Sequence, residues 1–281
     1  MFCIVKKRLL AKDIYLMEVE APRVAKSAQP GQFVIVRVGD TGERVPLTIC
    51  GYSDSDGTVT IVTQVVGASS RKICALNEGE CFTDFVGPLG CPSELVHLPL
   101  EELRQKSVLF IAGGLGTAPV YPQLKWLCEQ EAKADVIVGA KTGDLLILQD
   151  ELRAVAKNVY IATDDGSAGF KGLVTELLKN LVEEQGKKYD LVVAIGPMIM
   201  MKFVALATSA YNIPTIVSLN TLMVDGTGMC GACRVSVGGK TRFTCVEGPE
   251  FDGHQVDFDE ALRRQSMYRQ MERAADCKCV P

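Results

Sequence analysis

The sequence predicts a mixed β and α/β protein: an antiparallel β-barrel, then a doubly wound parallel sheet, then a small loop subdomain. Three observations predict it. Short β-branched runs with turn signals between them fill residues 1–98. Apolar runs alternate with glycine turns and helical patterns through 99–219, and a loop rich in glycine and cysteine occupies 220–250. A tail rich in Arg, Asp and Glu follows over 251–281.

In the first segment, runs such as Gln32-Phe-Val-Ile-Val-Arg-Val38 and Thr58-Val-Thr-Ile-Val-Thr63 read as strands, with turns at Pro30-Gly31 and Asp56-Gly57. Gly67-Ala-Ser-Ser70 precedes a helix expected from Arg71. Its backbone N–H groups and two hydroxyls suit a pyrophosphate, although the commoner meaning of Gly and Ser here is a plain turn or cap.

In the second segment, Val108–Ala112, Ala134–Val138, Val159–Ala162 and Leu191–Ile195 read as fully buried strands. Between the first strand and its helix lies Gly113-Gly114-Leu-Gly116-Thr117-Ala118-Pro119. Glycines let a backbone approach a pyrophosphate, Thr117 offers a hydroxyl, and Pro119 suits the first turn of a helix. Pro119 takes the last glycine slot of the dinucleotide fingerprint, so the turn alone is weak. Context strengthens it. Asp164-Asp165-Gly-Ser167 follows the third strand and Gly196-Pro197-Met198 the fourth, at strand ends where open sheets bind ligands. Asp164 and Asp165 would accept from a ribose hydroxyl and repel a 2′-phosphate, which favours NAD(H). Lys141 is the contrary sign. Met198, Met200 and Met201 also fit a core-filling role.

In the third segment, four residues separate Asp225 from Cys230, two separate Cys230 from Cys233, and eleven lie between Cys233 and Cys245. The whole is the register of a plant-type [2Fe-2S] loop with Asp in the first ligand slot. Gly226, Gly228 and Gly231 supply the positive φ and bare N–H groups such a loop needs. A zinc knuckle would want a second Cys pair or a His. Asp225 could also be an ordinary turn residue, and two buried thiols are a further reading.

The formal charge of −4 with scattered Lys and Arg argues against nucleic-acid or anionic-membrane binding. There is no charged-then-apolar leader at the N-terminus, and the most apolar long run, 192–207, is broken by Gly196, Pro197 and Lys202, so a cytoplasmic protein is expected. Eleven cysteines without a secretion signal imply a reducing compartment, with thiols free or on metal; Cys50, Cys74, Cys81, Cys91 and Cys128 read as small buried hydrophobes. Only two histidines occur, His97 and His254, and no nucleophile triad or carboxylate pair stands out.

Taken together, these residues resemble the ferredoxin-NADP reductase superfamily over residues 1–250, and within it the electron-transfer subunits that end in a [2Fe-2S] loop. The resemblance makes the barrel an FAD-binding domain. Its flavin motif falls on Val45-Pro46-Leu47-Thr48, where only Thr48 matches, as a partner for flavin N5; Arg44 sits one residue early and, on a strand, would face the other way. Further flavin contacts fall on Thr63, Val65, Gly67, Ser69 and Ser70, and Gly87-Pro-Leu-Gly90 matches the turn closing the barrel. Gly113–Pro119 and Gly196-Pro197 are the nicotinamide-nucleotide turns, with Ile195 in the place of the family's Cys.

The implied activity is hydride exchange between NAD(H) and FAD, then single-electron transfer through the cluster. Asp225 favours the branch of small subunits of NADH-dependent reduced ferredoxin:NADP oxidoreductases, also called sulfide dehydrogenase subunits. There a larger subunit carries a second FAD and [4Fe-4S] clusters, meets ferredoxin, and the heterodimer bifurcates electrons. The alternatives are the electron-transfer subunit of NAD-linked dihydroorotate dehydrogenase, which normally has four Cys, and a diaphorase. A redox-sensing or metal-binding regulatory protein that holds NADH is the alternative of another class. A tail helix at about 259–275, with Met267, Tyr268 and Met271, is expected either to dock on the partner or to lie solvated, and Cys277 and Cys279 either to line an interface or to stay idle.

Overall fold

The computed structural model describes residues 2–279, with side chains through Asp276. The expectation for the Cys277 and Cys279 thiols therefore lies outside the described side chains.

The first segment runs β1 (Phe2–Ala11), β2 (Ile14–Glu20), α1 (Pro22–Ser27), β3 (Phe33–Arg37), β4 (Val45–Ser53), β5 (Thr58–Gln64), α2 (Ala68–Ala75), β6 (Cys81–Phe82) and β7 (Asp84–Leu89). Its seven strands pair antiparallel in the order β6-β1-β2-β5-β4-β3-β7. The two edge strands are consecutive in sequence, so the sheet curls into a nearly closed barrel around Met17, Val34, Val36, Ile49, Val59 and Ile61, all buried. The strand alternation is what fills this interior: Leu47 and Ile49 point in while Pro46 and Thr48 share the opposite face.

Helix α2 begins at Ala68, three residues before the expected start. The Ser70 hydroxyl accepts from Val66 N at 2.8 Å and Gly67 N at 2.9 Å, which caps the first turn from within the Gly-Ala-Ser-Ser run. The cysteine expectation also needs correcting. Cys50 and Cys74 are buried, but Cys81 is disulfide-bonded to Cys3, Cys91 is exposed and Cys128 is half-buried. Cys3 and Cys81 face each other in the β1–β6 ladder, so strand register, not local hydrophobicity, brings them together.

The second segment runs α3 (Leu100–Gln105), β8 (Val108–Gly113), α4 (Thr117–Glu129), β9 (Asp135–Ala140), α5 (Gln149–Val155), β10 (Asn158–Thr163), β11 (Phe170–Lys171), α6 (Val174–Lys179), β12 (Leu191–Ile195), α7 (Met198–Ala210) and β13 (Thr215–Ser218). β8, buried along its whole length, lies between β9 and β12. Apolar clusters cover both faces: Leu177, Leu178, Met201 and Val204 on one side, and Val120, Leu124 and Leu152 on the other. The strand order reverses at β8, which opens a crevice between the loops that follow β8 and β12.

The third segment is an insertion rather than an appendage. It holds the hairpin β14 (Arg234–Val237) and β15 (Lys240–Phe243) and α8 (Thr244–Glu247), after which β16 (Glu250–Asp252) returns to the parallel sheet and pairs antiparallel with β13. The boundary expected at 250/251 thus falls inside a strand. The tail is two helices, α9 (Phe258–Gln265) and α10 (Arg269–Cys279), instead of one. α9 is capped by Asp257, whose carboxylate accepts from Glu260 N at 2.8 Å, and buries Phe258 and Ala261 against the nucleotide domain of its own chain. The break falls at Ser266, where its hydroxyl donates to Arg263 O at 2.8 Å and ends the first helix. Met267, Tyr268 and Met271 are exposed, and α10 reaches α2 through an Arg71–Asp276 ion pair at 3.1 Å.

Candidate functional site

The crevice at the sheet reversal is shaped by three glycines that have no room for a side chain. A Cβ on Gly116 would stand 2.1 Å from the Ile195 carbonyl oxygen, one on Gly113 would stand 2.3 Å from Met200 Sδ, and one on Gly196 would stand 3.1 Å from Gly113 Cα. The turn after β8 and the turn after β12 are therefore pressed backbone to backbone. Gly114, at φ 54°, bulges outward, and with Leu115, Gly196 and Pro197 forms the accessible lip. Gly116, Ala118 and Pro119 are buried supports. Thr117 differs from expectation: its hydroxyl, 1 % exposed, donates to Gly114 O at 2.9 Å and pins the turn, so it is not offered to a ligand. Met198 takes the core-filling role: its side chain is 2 % exposed within the sheet core, and only its main chain, at the start of α7, is near the lip.

At the ends of β9 and β10, Asp164 and Asp165 are both exposed, beside Lys141, whose carbonyl accepts from Asp165 N at 3.3 Å. Their carboxylates are not equivalent. Asp165 accepts from Ser167 Oγ at 2.6 Å and Ser167 N at 2.9 Å, and these bonds hold its pKa below the ordinary value. Among the described residues the Asp164 carboxylate makes no side-chain hydrogen bond, which leaves it the freer acceptor for a ribose.

On the barrel, Thr48 is half-buried and stands directly opposite Phe33 in the β3–β4 ladder, with Pro46 on its face. Leu47 turns into the barrel core, and Thr63, at 2 % exposure, presents no surface to a ligand; both can contribute main chain only. Val65 and Gly67 are partly exposed at the approach to α2. The Ser70 hydroxyl is committed to the cap. Ser69 donates to the Glu43 carboxylate, so a carboxylate already sits by the helix end where an anion is favoured.

The cluster loop lies on the barrel wall. A Cβ on Gly226 would meet Ile35 Cδ1 at 2.5 Å and Leu89 Cδ1 at 2.9 Å, and Gly226, Gly228 and Gly231 all have left-handed φ (79°, 86° and 66°). Cys233 and Cys245, each 1 % exposed, place their sulfurs 3.2 Å apart in a pocket with Phe33, Ile35 and Met223. Burial, and then the Cys233 sulfur, push the Cys245 thiol up to about 12, a cost that a bound metal removes by taking the proton's place. Cys230 is exposed. Asp225 is turned onto its own loop, accepting from Thr227 N at 3.2 Å, Thr227 Oγ at 3.1 Å and Met229 N at 3.2 Å. Burial raises its pKa, but the bonds from Thr227 and Cys230 outweigh it and hold the carboxyl below its ordinary value. Among the described residues no three His, Cys, Asp or Glu side chains converge on one point for a single metal ion. The donor set does fit a cluster: two buried sulfurs side by side, a third thiol and a carboxylate on one glycine-rich loop are ligands for two irons rather than one.

Comparison with known proteins finds matches over both the cluster-loop segment and the nucleotide-domain segment. Residues 220–257 match the iron-sulfur cluster binding domain of dihydroorotate dehydrogenase B, and residues 110–206 match the oxidoreductase NAD-binding domain. A Thermotoga maritima homologue of the dihydroorotate dehydrogenase B (NAD(+)) electron-transfer subunit is 44% identical over 270 residues, covering 96% of this chain and 92% of that protein. This chain belongs to that electron-transfer subunit family. An uncharacterized Clostridium beijerinckii protein encoded in the adh 3′ region is 56% identical over 269 residues, covering 96% of this chain and 91% of its own length. Among solved structures, a chain from the NADH-dependent reduced ferredoxin-NADP oxidoreductase is 41% identical, with a TM-score of 0.92 over 100% of this chain and 98% of that one. Phthalate dioxygenase reductase, at 17% identity and a TM-score of 0.57 over 84% of this chain and 85% of that one, shares the fold.

Within the family the chain is an oxidoreductase subunit of the ferredoxin-NADP reductase type, with FAD, a [2Fe-2S] cluster and NAD(H) as its cofactors. As an electron-transfer subunit it works with a larger partner. No described helix is long and apolar enough to cross a membrane.

Two contacts escaped sequence reading. Phe33 pairs with Thr48 and also packs in the apolar group that holds Cys233 and Cys245, and Arg44 reaches the cluster loop. The pairing of Phe33 with Thr48 could be found only by solving the β3–β4 register.

Proposed function

We propose that this chain is the small subunit of an electron-bifurcating NADH/ferredoxin:NADP transhydrogenase, passing hydride between NAD(H) and FAD and single electrons through the cluster to a larger subunit carrying flavin and [4Fe-4S] clusters. The observation that carries this reading is the end-to-end likeness, with a TM-score of 0.92, to a chain of the NADH-dependent reduced ferredoxin-NADP oxidoreductase, the subject of work on flavin-based electron bifurcation. Asp225 in the first ligand slot supports it.

The division of labour follows from the site. The lip at Gly114, Leu115, Gly196 and Pro197 receives the nucleotide, Asp164 and Asp165 the ribose, and Pro46 and Thr48 the flavin ring, with the Val65–Ser70 stretch near its phosphates. The bound flavin exchanges two electrons with the nucleotide and one at a time with the cluster, and the protein's task is stacking and orientation. Thr48 holds a hydroxyl at the hydride-accepting edge. Asp225, Cys230, Cys233 and Cys245 hold the cluster against the barrel wall, where Ile35, Leu89 and Phe33 exclude water from the gap. Val224, Met229 and Val246, all exposed, surround it as the face for the partner.

The test is an anaerobic assay of the complex isolated from its native host, following NADP reduction with NADH, with reduced ferredoxin, and with both. A requirement for both donors together is expected. The second reading, a dihydroorotate dehydrogenase electron-transfer subunit, is favoured by the names of the relatives. It would stand if the two-donor reaction failed while dihydroorotate drove NAD reduction.

A further inference from the structure

We propose that Arg44 is a positioning residue for the cluster loop and not a flavin-phosphate ligand: it grips the backbone that carries Asp225 and sets a permanent cation beside the carboxylate-ligated iron. The proposal rests on the [2Fe-2S] reading of that loop.

Arg44 precedes β4, on the barrel. Its Nε donates to the Val224 carbonyl at 3.0 Å, its Nη2 to the Asp225 carbonyl at 3.4 Å, and its Nη1 lies 3.5 Å from Asp84 Oδ2. Asp84 is held in turn by Arg37 Nε at 2.6 Å. All three guanidinium nitrogens are thus engaged on the cluster side of the barrel. Two of the three contacts are to carbonyls of the cluster loop, so the planar fork is turned toward that loop, and the pyrophosphate's charge falls to the α2 end.

The contact is placed where it matters for the ligand. Among the described residues the Asp225 carboxylate is held from within the loop alone, by Thr227 and Met229. The external fixings of this end of the loop are Gly226 against Ile35 and Leu89, and Arg44 on the two carbonyls before it. Arg44 therefore couples the barrel, where the flavin sits, to the ligand that distinguishes this loop. An arginine side chain carries a positive charge. Reduction adds negative charge to the cluster, so a nearby cation favours the reduced form and raises the midpoint potential. The side chain is 30% exposed, so the effect is partly screened and grows at low ionic strength.

The experiment compares wild type, R44A and R44K in the intact complex, by FAD content, iron content and EPR-monitored potentiometry of the reduced [2Fe-2S] centre. R44A is expected to keep FAD at wild-type stoichiometry while the midpoint moves to more negative potential and the g-anisotropy changes. R44K, which restores the charge without the fork, should recover the potential more fully than the line shape. Loss of FAD with an unmoved cluster signal would overturn the proposal in favour of a phosphate role, and no change in either cofactor would overturn it outright. If R44A does not fold, R44Q is read by the same criteria. A wild-type complex without a reduced [2Fe-2S] signal would overturn the cluster reading itself, which separates the two failures.

Discussion

The Glu250 carboxylate accepts a hydrogen bond from Ser93 Oγ at 2.9 Å, joining the strand that leaves the cluster insertion to the linker that leaves the barrel. Gln123 Nε2, on α4 of the nucleotide domain, donates to the other carboxylate oxygen at 2.8 Å, and Ser93 lies 3.2 Å from Gln123 Oε1. Three parts of the molecule meet at one buried acid.

Burial pushes the Glu250 carboxyl up to about 6 from an ordinary 4.5, against the bonds from Ser93 and Gln123 that favour its ionised form. Because the folded-state pKa is the higher one, the stabilisation this group contributes is fully present below about 4.5 and is lost as pH climbs through 6, by about 2 kcal/mol for such a shift. E250Q can keep the network, donating to Ser93 and accepting from Gln123. Its melting temperature should vary less than that of wild type between pH 5 and 8; an unchanged pH profile would show that Glu250 is not the group responsible.

Gly116 and Gly114 give opposite expectations two residues apart. An added methyl at Gly116 meets backbone at 2.1 Å, which cannot yield by rotating a side chain, so G116A should abolish NADH binding and cost several kcal/mol of stability, on the order of 3 or more. Gly114 has nothing within 4 Å, and G114A should cost about 1 kcal/mol for its left-handed φ alone. Isothermal titration with NADH and thermal melts separate the two.

Asp164→Ala should weaken NADH binding by roughly tenfold, the scale of a hydrogen bond to a charged group, and NADPH binding by less. Equal losses for both nucleotides, measured by titration, would exclude contact between this carboxylate and the ribose.

Thr48→Val keeps the shape of the side chain and removes its hydroxyl. Anaerobic stopped-flow should show flavin reduction by NADH slowed about tenfold, or about 1.4 kcal/mol, with FAD and iron content unchanged. A wild-type rate would remove Thr48 from the hydride step.

The parallel sheet was legible because its strands are buried on both faces and read as unbroken apolar runs, as in Val108–Ala112. The cluster loop was legible because its ligands are close in sequence. What escaped was non-local. Ser93, Gln123 and Glu250 are far apart along the chain, and the Cys3–Cys81 bond depends on strand register. The three residues of β16 carry too short a pattern to reveal that they return to the sheet. The hydroxyl of Thr117 is engaged within its own turn for a related reason: residue type announces what a side chain could do, while neighbours decide whether it is free to do it.

The return of β16 to the sheet also limits how electrons are delivered. A carrier domain on a single flexible linker shuttles between donor and acceptor. Here the piece bearing the ligands is fastened at both ends to neighbouring strands, β13 and β16, and its loop rests on the barrel wall. The spacing between the barrel and the loop is thus set by strand pairing and wall contacts rather than by a linker.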